Sequence, residues 1–382
     1  MQDGWILVAR KHRNHTHYDA TKSNKIAYFK LFFGETIKNL GYFIWNDDSI
    51  RNVDPKKITV ELLLSSVTDD QIEKPPLINK MAFGNSNEIT RLSTKYKLTK
   101  DAHKIRTIPC VVSSNTAITL HIAQKRGLDL NDADFFLGGS TLSVLAEKKI
   151  PKGRTYLVQR FGNVISITKL PNYQANLDDP GYQFERMMRD DGSSSATKSF
   201  ETLSLRSIHD DQSQAKFNVI FSAELDGQSL MDSESLSSNS DARINVELKI
   251  KNPKNWGSRT ILQMISSNSK KLYYGKRRSH LPKKSNSPSK TETDRSSLDI
   301  IDVLEYDEED IISKISLEKI NSIKKNIIHC LNQLKEQYSC SKLKENELYE
   351  LNFTNQDLSL TLANKHYKKH QIRAEVMEEL LK

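Results

Sequence analysis

The 382-residue chain predicts an α+β fold, with central mixed β-sheets flanked by helices. Three observations carry that prediction. Residues 217–226 and 244–250 alternate apolar and polar side chains, the two-residue period of half-buried strands. Residues 154–161 and 164–170 are strand-like runs on either side of Gly162-Asn163, a dipeptide suited to a tight hairpin turn. Residues 311–338 place Ile315, Ile320, Ile323, Ile327, Leu331 and Leu334 near one stripe, the pattern of an amphipathic helix. Strand pairs mixed with scattered helices indicate α+β.

Taken in order, residues 5–9 and 59–65 read as strands and residues 28–40 as a helix. The polar stretch 69–101, with Pro75-Pro76, reads as loop with short ordered pieces, and strands dominate residues 106–170. Residues 181–188 form a short helix with Phe184, Met187 and Met188 on one face. Asn252-Pro253 is placed to cap a helix running through Trp256, Ile261, Leu262 and Ile265. The Ser- and Lys-rich segment 276–297 lacks periodicity and reads as a mobile basic connection, followed by an acidic run at 299–310. Residues 348–362 add a strand pair and residues 371–382 a terminal helix. No internal repeat is evident.

Lys and Arg total 57 against 48 Asp and Glu, a net charge of +9 that favours a polyanionic partner. The three cysteines, Cys110, Cys330 and Cys340, match neither a disulfide framework nor a zinc motif. A reduced intracellular compartment is therefore expected. The first apolar run is too short for a secretory signal, and nothing approaches the roughly 18 apolar residues of a membrane span. A soluble protein with no membrane partner is expected. His12, His15 and His17 lie in a basic segment and are expected to be solvent-exposed rather than a metal cluster. Lys276-Arg-Arg278 with Lys283-Lys284 leaves three roles open: a nuclear localisation signal, an RNA-backbone contact or a solvated loop.

The two alternating segments carry the chemistry. In 217–226, Phe217, Val219, Phe221, Ala223 and Leu225 share one face, which places Glu224 and Asp226 on the other. In 244–250, Ile244, Val246, Leu248 and Ile250 share a face, leaving Glu247 and Lys249 opposite. If the two strands pair, three carboxylates and a lysine converge. Carboxylates that close repel one another unless a cation lies among them, which points to a metal-dependent nuclease site. The alternative is a solvated acidic sheet face, with Lys249 only a salt-bridge partner. A double Glu224→Ala, Asp226→Ala variant is expected to lose turnover with its fold intact, because both residues lie on the polar face.

Gly181-Tyr-Gln-Phe-Glu185, Ala223-Glu-Leu-Asp226, Val246-Glu-Leu-Lys249 and Gln263 occur in the order and approximate spacing of the DXO family. Tyr273-Tyr-Gly-Lys-Arg277 also resembles the short strand after that family's glutamine helix. These are eukaryotic enzymes that remove aberrant or incomplete messenger RNA caps and digest the RNA from its 5′ end. The resemblance covers roughly residues 125–278 and is nearest to the fungal cytoplasmic branch. It implies residues 101–382 as the catalytic portion and residues 1–100 as an N-terminal α/β portion of uncertain role, in one compact domain.

The resemblance further implies a restriction-nuclease-like Asp…Glu-x-Lys site. Glu185, Glu224, Asp226 and Glu247, with the Leu248 carbonyl, would hold two divalent cations, Mg²⁺ or Mn²⁺. Lys249 would orient or deprotonate the attacking water or hold developing charge. Gln263 would position water or phosphate, so that Glu224, Lys249 and Gln263 face the substrate. The implied partner is the 5′ end of messenger RNA, capped or monophosphorylated, and NAD-type caps are admitted as well. No protein partner is implied by any motif. Where family members carry an arginine before a glycine, this chain has Phe135-Phe-Leu-Gly-Gly-Ser-Thr141, so 5′-triphosphate pyrophosphohydrolase activity is expected to be weak or absent. Two rivals remain at this stage: a non-catalytic RNA-binding or activating partner of a larger exonuclease, and a restriction-like DNA nuclease.

Overall fold

A computed structural model describes residues 22–45, 55–68, 74–78, 90–93, 112–170, 181, 184–185, 188–189, 199–210, 214–231, 242–250, 257–277, 297–345, 347–371 and 373–382. Its strands are β1 Thr36–Trp45, β2 Val67–Thr68, β3 Thr90–Ser93, β4 Phe135–Gly138, β5 Tyr156–Phe161, β6 Val164–Lys169 and β7 Ser199–Asp210. They continue with β8 Ala215–Glu224, β9 Gly227–Leu230, β10 Arg243–Lys249, β11 Ser269–Arg277, β12 Ser297–Asp307, β13 Leu348–Thr354 and β14 Asp357–Leu362.

Two mixed sheets result. One runs β14-β13-β5-β6-β4-β8-β7-β1-β2, the other β3-β12-β11-β10-β9. In the larger sheet β4 lies parallel to both β6 and β8, and the remaining neighbours are antiparallel. In the smaller, β10 and β11 are parallel, joined through the Gly257–Ser266 helix. One face of the larger sheet packs against the 22–33, Thr141–Glu147, Gly257–Ser266 and Leu317–Ser339 helices, burying Phe135, Val219, Phe221, Ile261 and Ile327. The other face packs against Val112–Lys125 and Ala374–Leu380 around Phe43, Ile122, Ile220 and Met377. Both faces of β8 are thus covered, so Ile220 and Ser222 are as buried as Val219 and Phe221. The α+β class with helix-flanked mixed sheets holds.

The hairpin is as expected: Phe161 pairs with Val164, and Gly162 takes φ +57°, a conformation glycine adopts without strain. The strand pair β13–β14 and the terminal helix Ala374–Leu380 also form. Several expectations fail. Residues 60–65 are helical, not a strand, because Thr59 accepts the Leu62 N–H at 3.3 Å and starts a turn. The helix expected over 28–40 stops at 33, and β1 takes over at Thr36. Strands do not dominate the described residues 112–170, since Val112–Lys125 and Thr141–Glu147 are helices. The single helix expected over 311–338 is two. Glu308–Ser313 ends, and Ser316 caps Leu317–Ser339 by accepting the Lys319 N–H at 3.2 Å. Much of the acidic run 299–310 is β12. Lys276 and Arg277 close β11. The strand expected at 5–9, the three N-terminal histidines, Met187, Asn252-Pro253 and Lys283-Lys284 lie outside the described residues, and among those described no helix is long and apolar enough to cross a membrane.

Candidate active site

The expected pairing of the two acidic strands does not occur. β8 belongs to the larger sheet and β10 to the smaller. What joins them is the link between β8 and β9, where the chain leaves one sheet for the other. β8 ends at Glu224. Leu225 turns into a small apolar cluster with Ile44 and Phe200, and its N–H donates to the Phe200 carbonyl at 2.9 Å. Asp226 then accepts the backbone N–H of Leu248 on Oδ2 at 2.8 Å. Gly227 follows; a Cβ there would lie 2.5 Å from Ile78 Cδ1 and 3.1 Å from the Pro76 carbonyl, so Ile78 would have to shift. Alternation puts Glu224, Glu247 and Lys249 on the expected strand faces, but Asp226 lies beyond the end of β8, and the convergence comes from a sheet-to-sheet seam.

This geometry corrects the expectation for the double alanine variant. Asp226 is only 7% exposed and is a structural acceptor, not a member of an open polar face. Removing it strands a buried N–H.

On β10, Val246 and Leu248 pack into a cluster with Ile78, Phe184, Met188, Ile250 and Tyr273, leaving Glu247 and Lys249 on the opposite strand face. Glu247 is 5% exposed, and its Oε1 accepts from the Lys249 ammonium, while Ser267 Oγ reaches Oε2 at 3.4 Å. Burial raises the Glu247 carboxyl to about 7, and the charges of Asp226 and Glu224 push the same way against the pull of Lys249. Burial alone would lower the Lys249 ammonium. Glu247, Asp226 and Glu185 outweigh it and raise Lys249 above the ordinary lysine range. In this geometry the Lys249 ammonium stands as a hydrogen-bond donor to Glu247.

Glu185 sits on the short helix whose Phe184 and Met188 are fully buried against β10 and β11, which leaves it half-buried and close enough to act on the Lys249 charge. Gln263 is half-buried on the Gly257–Ser266 helix, whose Ile261, Leu262, Met264 and Ile265 face the core. Its backbone carbonyl accepts both the N–H and the hydroxyl of Ser267, so the end of this helix is tied through Ser267 to Glu247. Gly138-Gly139 also borders the site: Gly138 pairs with Ser222, two residues before Glu224, and the Gly139 N–H donates to the Ser222 carbonyl at 2.6 Å.

Two residues of the site escaped the sequence reading. Glu201 on β7 lies directly across from Glu224, so both side chains leave the same sheet face. One Glu201 oxygen accepts the Trp45 Nε1–H at 2.6 Å and the other the Ser222 hydroxyl. Burial raises its carboxyl, and Glu224 adds to the effect. The signal was present: Glu201 is in phase with Leu203 and Leu205, an acid on a buried face. The second is Arg189, one helical turn after Glu185, whose Nε donates to the Asp226 carbonyl at 2.8 Å. No strand or helix period singles it out.

Among the described residues, no three His, Cys, Asp or Glu side chains are grouped so as to hold a metal ion as they stand. Lys249 lies on Glu247 Oε1, and the Leu248 N–H holds Asp226 Oδ2. The donor chemistry nonetheless fits a hard divalent cation, because Glu247 is destabilised by two further carboxylates and every candidate ligand is an oxygen.

Two helix-flanked mixed sheets, joined where the chain crosses from β8 to β9, make up the α+β fold. The chain shares this fold with the fungal Rai1 proteins. Candida albicans Rai1, in complex with pU5-Mn²⁺, superimposes with a TM-score of 0.53 at 13% identity, covering 91% of this chain and 96% of that one. Scheffersomyces stipitis Rai1, in complex with (3′-NADP)⁺ and calcium ion, gives 0.53 at 13% identity, over 91% and 97%. The same protein in a further structure gives 0.52 at 12%, over 91% and 99%. No family model and no curated protein sequence matches the chain.

Proposed function

We propose that the chain is a metal-dependent RNA decapping enzyme and 5′→3′ exoribonuclease acting on aberrant or incompletely capped messenger RNA. The observation that carries this reading is the seam itself. The Asp226–Leu248 hydrogen bond brings Glu224 at the end of β8, and Asp226 in the link that follows, to Glu247 and Lys249 of the other sheet, in the fold of Rai1. A Rai1 structure in complex with pU5-Mn²⁺ and another with (3′-NADP)⁺ support an RNA 5′ end as substrate, a divalent cation as cofactor, and removal of NAD-type caps.

Glu185, Glu224, Asp226 and Glu247, with the Leu248 carbonyl, would hold two Mg²⁺ or Mn²⁺ ions. Bound there, such ions would offset charge on a phosphate and lower the pKa of water, so that hydroxide is available to attack it. Lys249, kept protonated by its acidic neighbours, would then donate to the substrate phosphate and stabilise charge growing on it. The Gln263 amide, able both to donate and to accept, would orient the attacking water. Trp45 and Ser222 hold Glu201 in place beside Glu224, which keeps a fixed acidic wall behind the site. Hydrolysis of a phosphodiester near the 5′ end would release an intact cap dinucleotide from capped RNA and mononucleotides from uncapped RNA.

The test is RNA labelled in the cap, incubated with the protein in Mg²⁺ or Mn²⁺. A labelled dinucleotide that fails to form in chelator supports the reading. Uncut RNA in both metals would overturn it, and preferential cleavage of duplex DNA would favour a restriction-like nuclease instead.

A further inference from the structure

We propose that Arg189 binds a phosphate of the RNA strand at the site, with the Asp226 carbonyl aiming its guanidinium. This inference rests on the nucleic-acid reading above. Arg189 is held at three points. Its backbone N–H donates to the Glu185 carbonyl at 3.1 Å, and its backbone forms an antiparallel bridge with Ile78. Its side-chain Nε donates to the Asp226 carbonyl at 2.8 Å. Among the described residues, no carboxylate pairs with Arg189, and Nη1 and Nη2 have no hydrogen-bond partner.

That arrangement is unusual for its surroundings. Glu185 stands one helical turn away, and the carbonyl that Nε bonds belongs to a residue whose own carboxylate is part of the cluster. An arginine beside so many acids ordinarily forms a bidentate ion pair with one of them. Here Nε is committed to a neutral carbonyl, so the positive charge is not cancelled. The two terminal nitrogens form a planar fork that matches two oxygens of one phosphate. The group is also half-buried and fixed in advance, which lowers the entropy lost when an anion is captured. Because the Asp226 main chain holds the fork, the phosphate it takes lies next to the acidic cluster.

The experiment is fluorescence anisotropy of a labelled, 5′-phosphorylated uridine oligomer in Ca²⁺, titrated at several salt concentrations. Arg189→Gln and Arg189→Lys are compared with the unaltered protein, and each variant is first checked for its melting temperature. Arg189→Gln should weaken binding by roughly tenfold, as expected for a lost charge-assisted contact. It should also flatten the slope of log affinity against log salt by about 0.7, the share of one neutralised phosphate on a single strand. Arg189→Lys should keep the slope and lose part of the affinity, since it retains the charge without the fork. A merely structural role would not change the slope. Unaltered slope and affinity in Arg189→Gln, or a flattened slope in Arg189→Lys, would overturn the inference while leaving the nuclease reading standing. Failure of the unaltered protein to bind the oligomer would overturn both.

Discussion

Asp226 has one structural role and is proposed for a second, and substitution separates the two. Its Oδ2 accepts a hydrogen bond from the buried Leu248 N–H at 2.8 Å, and its carboxylate is a candidate ligand. In Asp226→Ala the acceptor vanishes and the N–H is left without a partner at a position closed to water. A hydrogen bond to a charged group, together with an orphaned buried donor, is worth about 2–3 kcal/mol. On the usual unfolding entropy per residue, a chain this long converts that into a fall of roughly 3 °C in melting temperature. Asp226→Asn keeps a carbonyl oxygen in the same place and should melt within about 1 °C of the unaltered protein. It loses the negative charge, however, and should lose about 100-fold or more in cleavage rate. Differential scanning calorimetry and a single-turnover RNA assay on both variants read the two effects separately. An Asp226→Ala protein as stable as the unaltered one would refute the claim that this bond ties the sheets. Full activity in Asp226→Asn would remove the residue from the site.

Three further outcomes follow from the same geometry. Glu247 is raised to about 7 in the fold, above its unfolded value, so its stabilising contribution is present at low pH and is lost as pH rises through 7. The melting temperature of chelated protein should therefore fall between about pH 5 and pH 8, Glu247→Gln should flatten that fall, and Mn²⁺ should reverse it only in the unaltered protein. Lys249 leaves this window unchanged, because a raised lysine is charged throughout it. Gly227→Ala would force a Cβ against Ile78 and Pro76, destabilising by about 1–3 kcal/mol and displacing the adjacent Asp226, so melting temperature and cleavage rate should drop together. Ser316→Ala removes the cap of the long Leu317–Ser339 helix and should cost about 1 kcal/mol by chemical denaturation without touching RNA cleavage.

The parts of the site that rest on local period were legible in the sequence. Strand alternation gave Glu224 and the Glu247/Lys249 pair their faces, and the run 181–188 gave Glu185 its helix. The parts that rest on tertiary crossings were not. Alternation cannot say whether two strands share a sheet, so it leaves the pairing of β8 with β10 a condition that the seam at Leu225–Asp226 replaces. A strand covered on both faces hides its polarity, as at the buried Ser222, whereas Glu201 is marked in the sequence only by its phase with Leu203 and Leu205. Residues 59–65 carry a strand-like pattern, but β-branched and leucine-rich runs suit either state. The decision fell to a single side chain, Thr59, whose hydroxyl caps the first turn. Arg189 was invisible for a simpler reason: its partner is a backbone carbonyl 37 residues away.

The central claim is that the junction of the two sheets is a metal-dependent RNA-cleaving site. The most direct test is single-turnover cleavage of 5′-monophosphate RNA by the unaltered protein and by Glu247→Gln, each with Mn²⁺ and with chelator. The account predicts stepwise release of mononucleotides from the 5′ end only for the unaltered protein in Mn²⁺, with Glu247→Gln still folded and inactive. Equal cleavage by both proteins, or cleavage that persists in chelator, would contradict it.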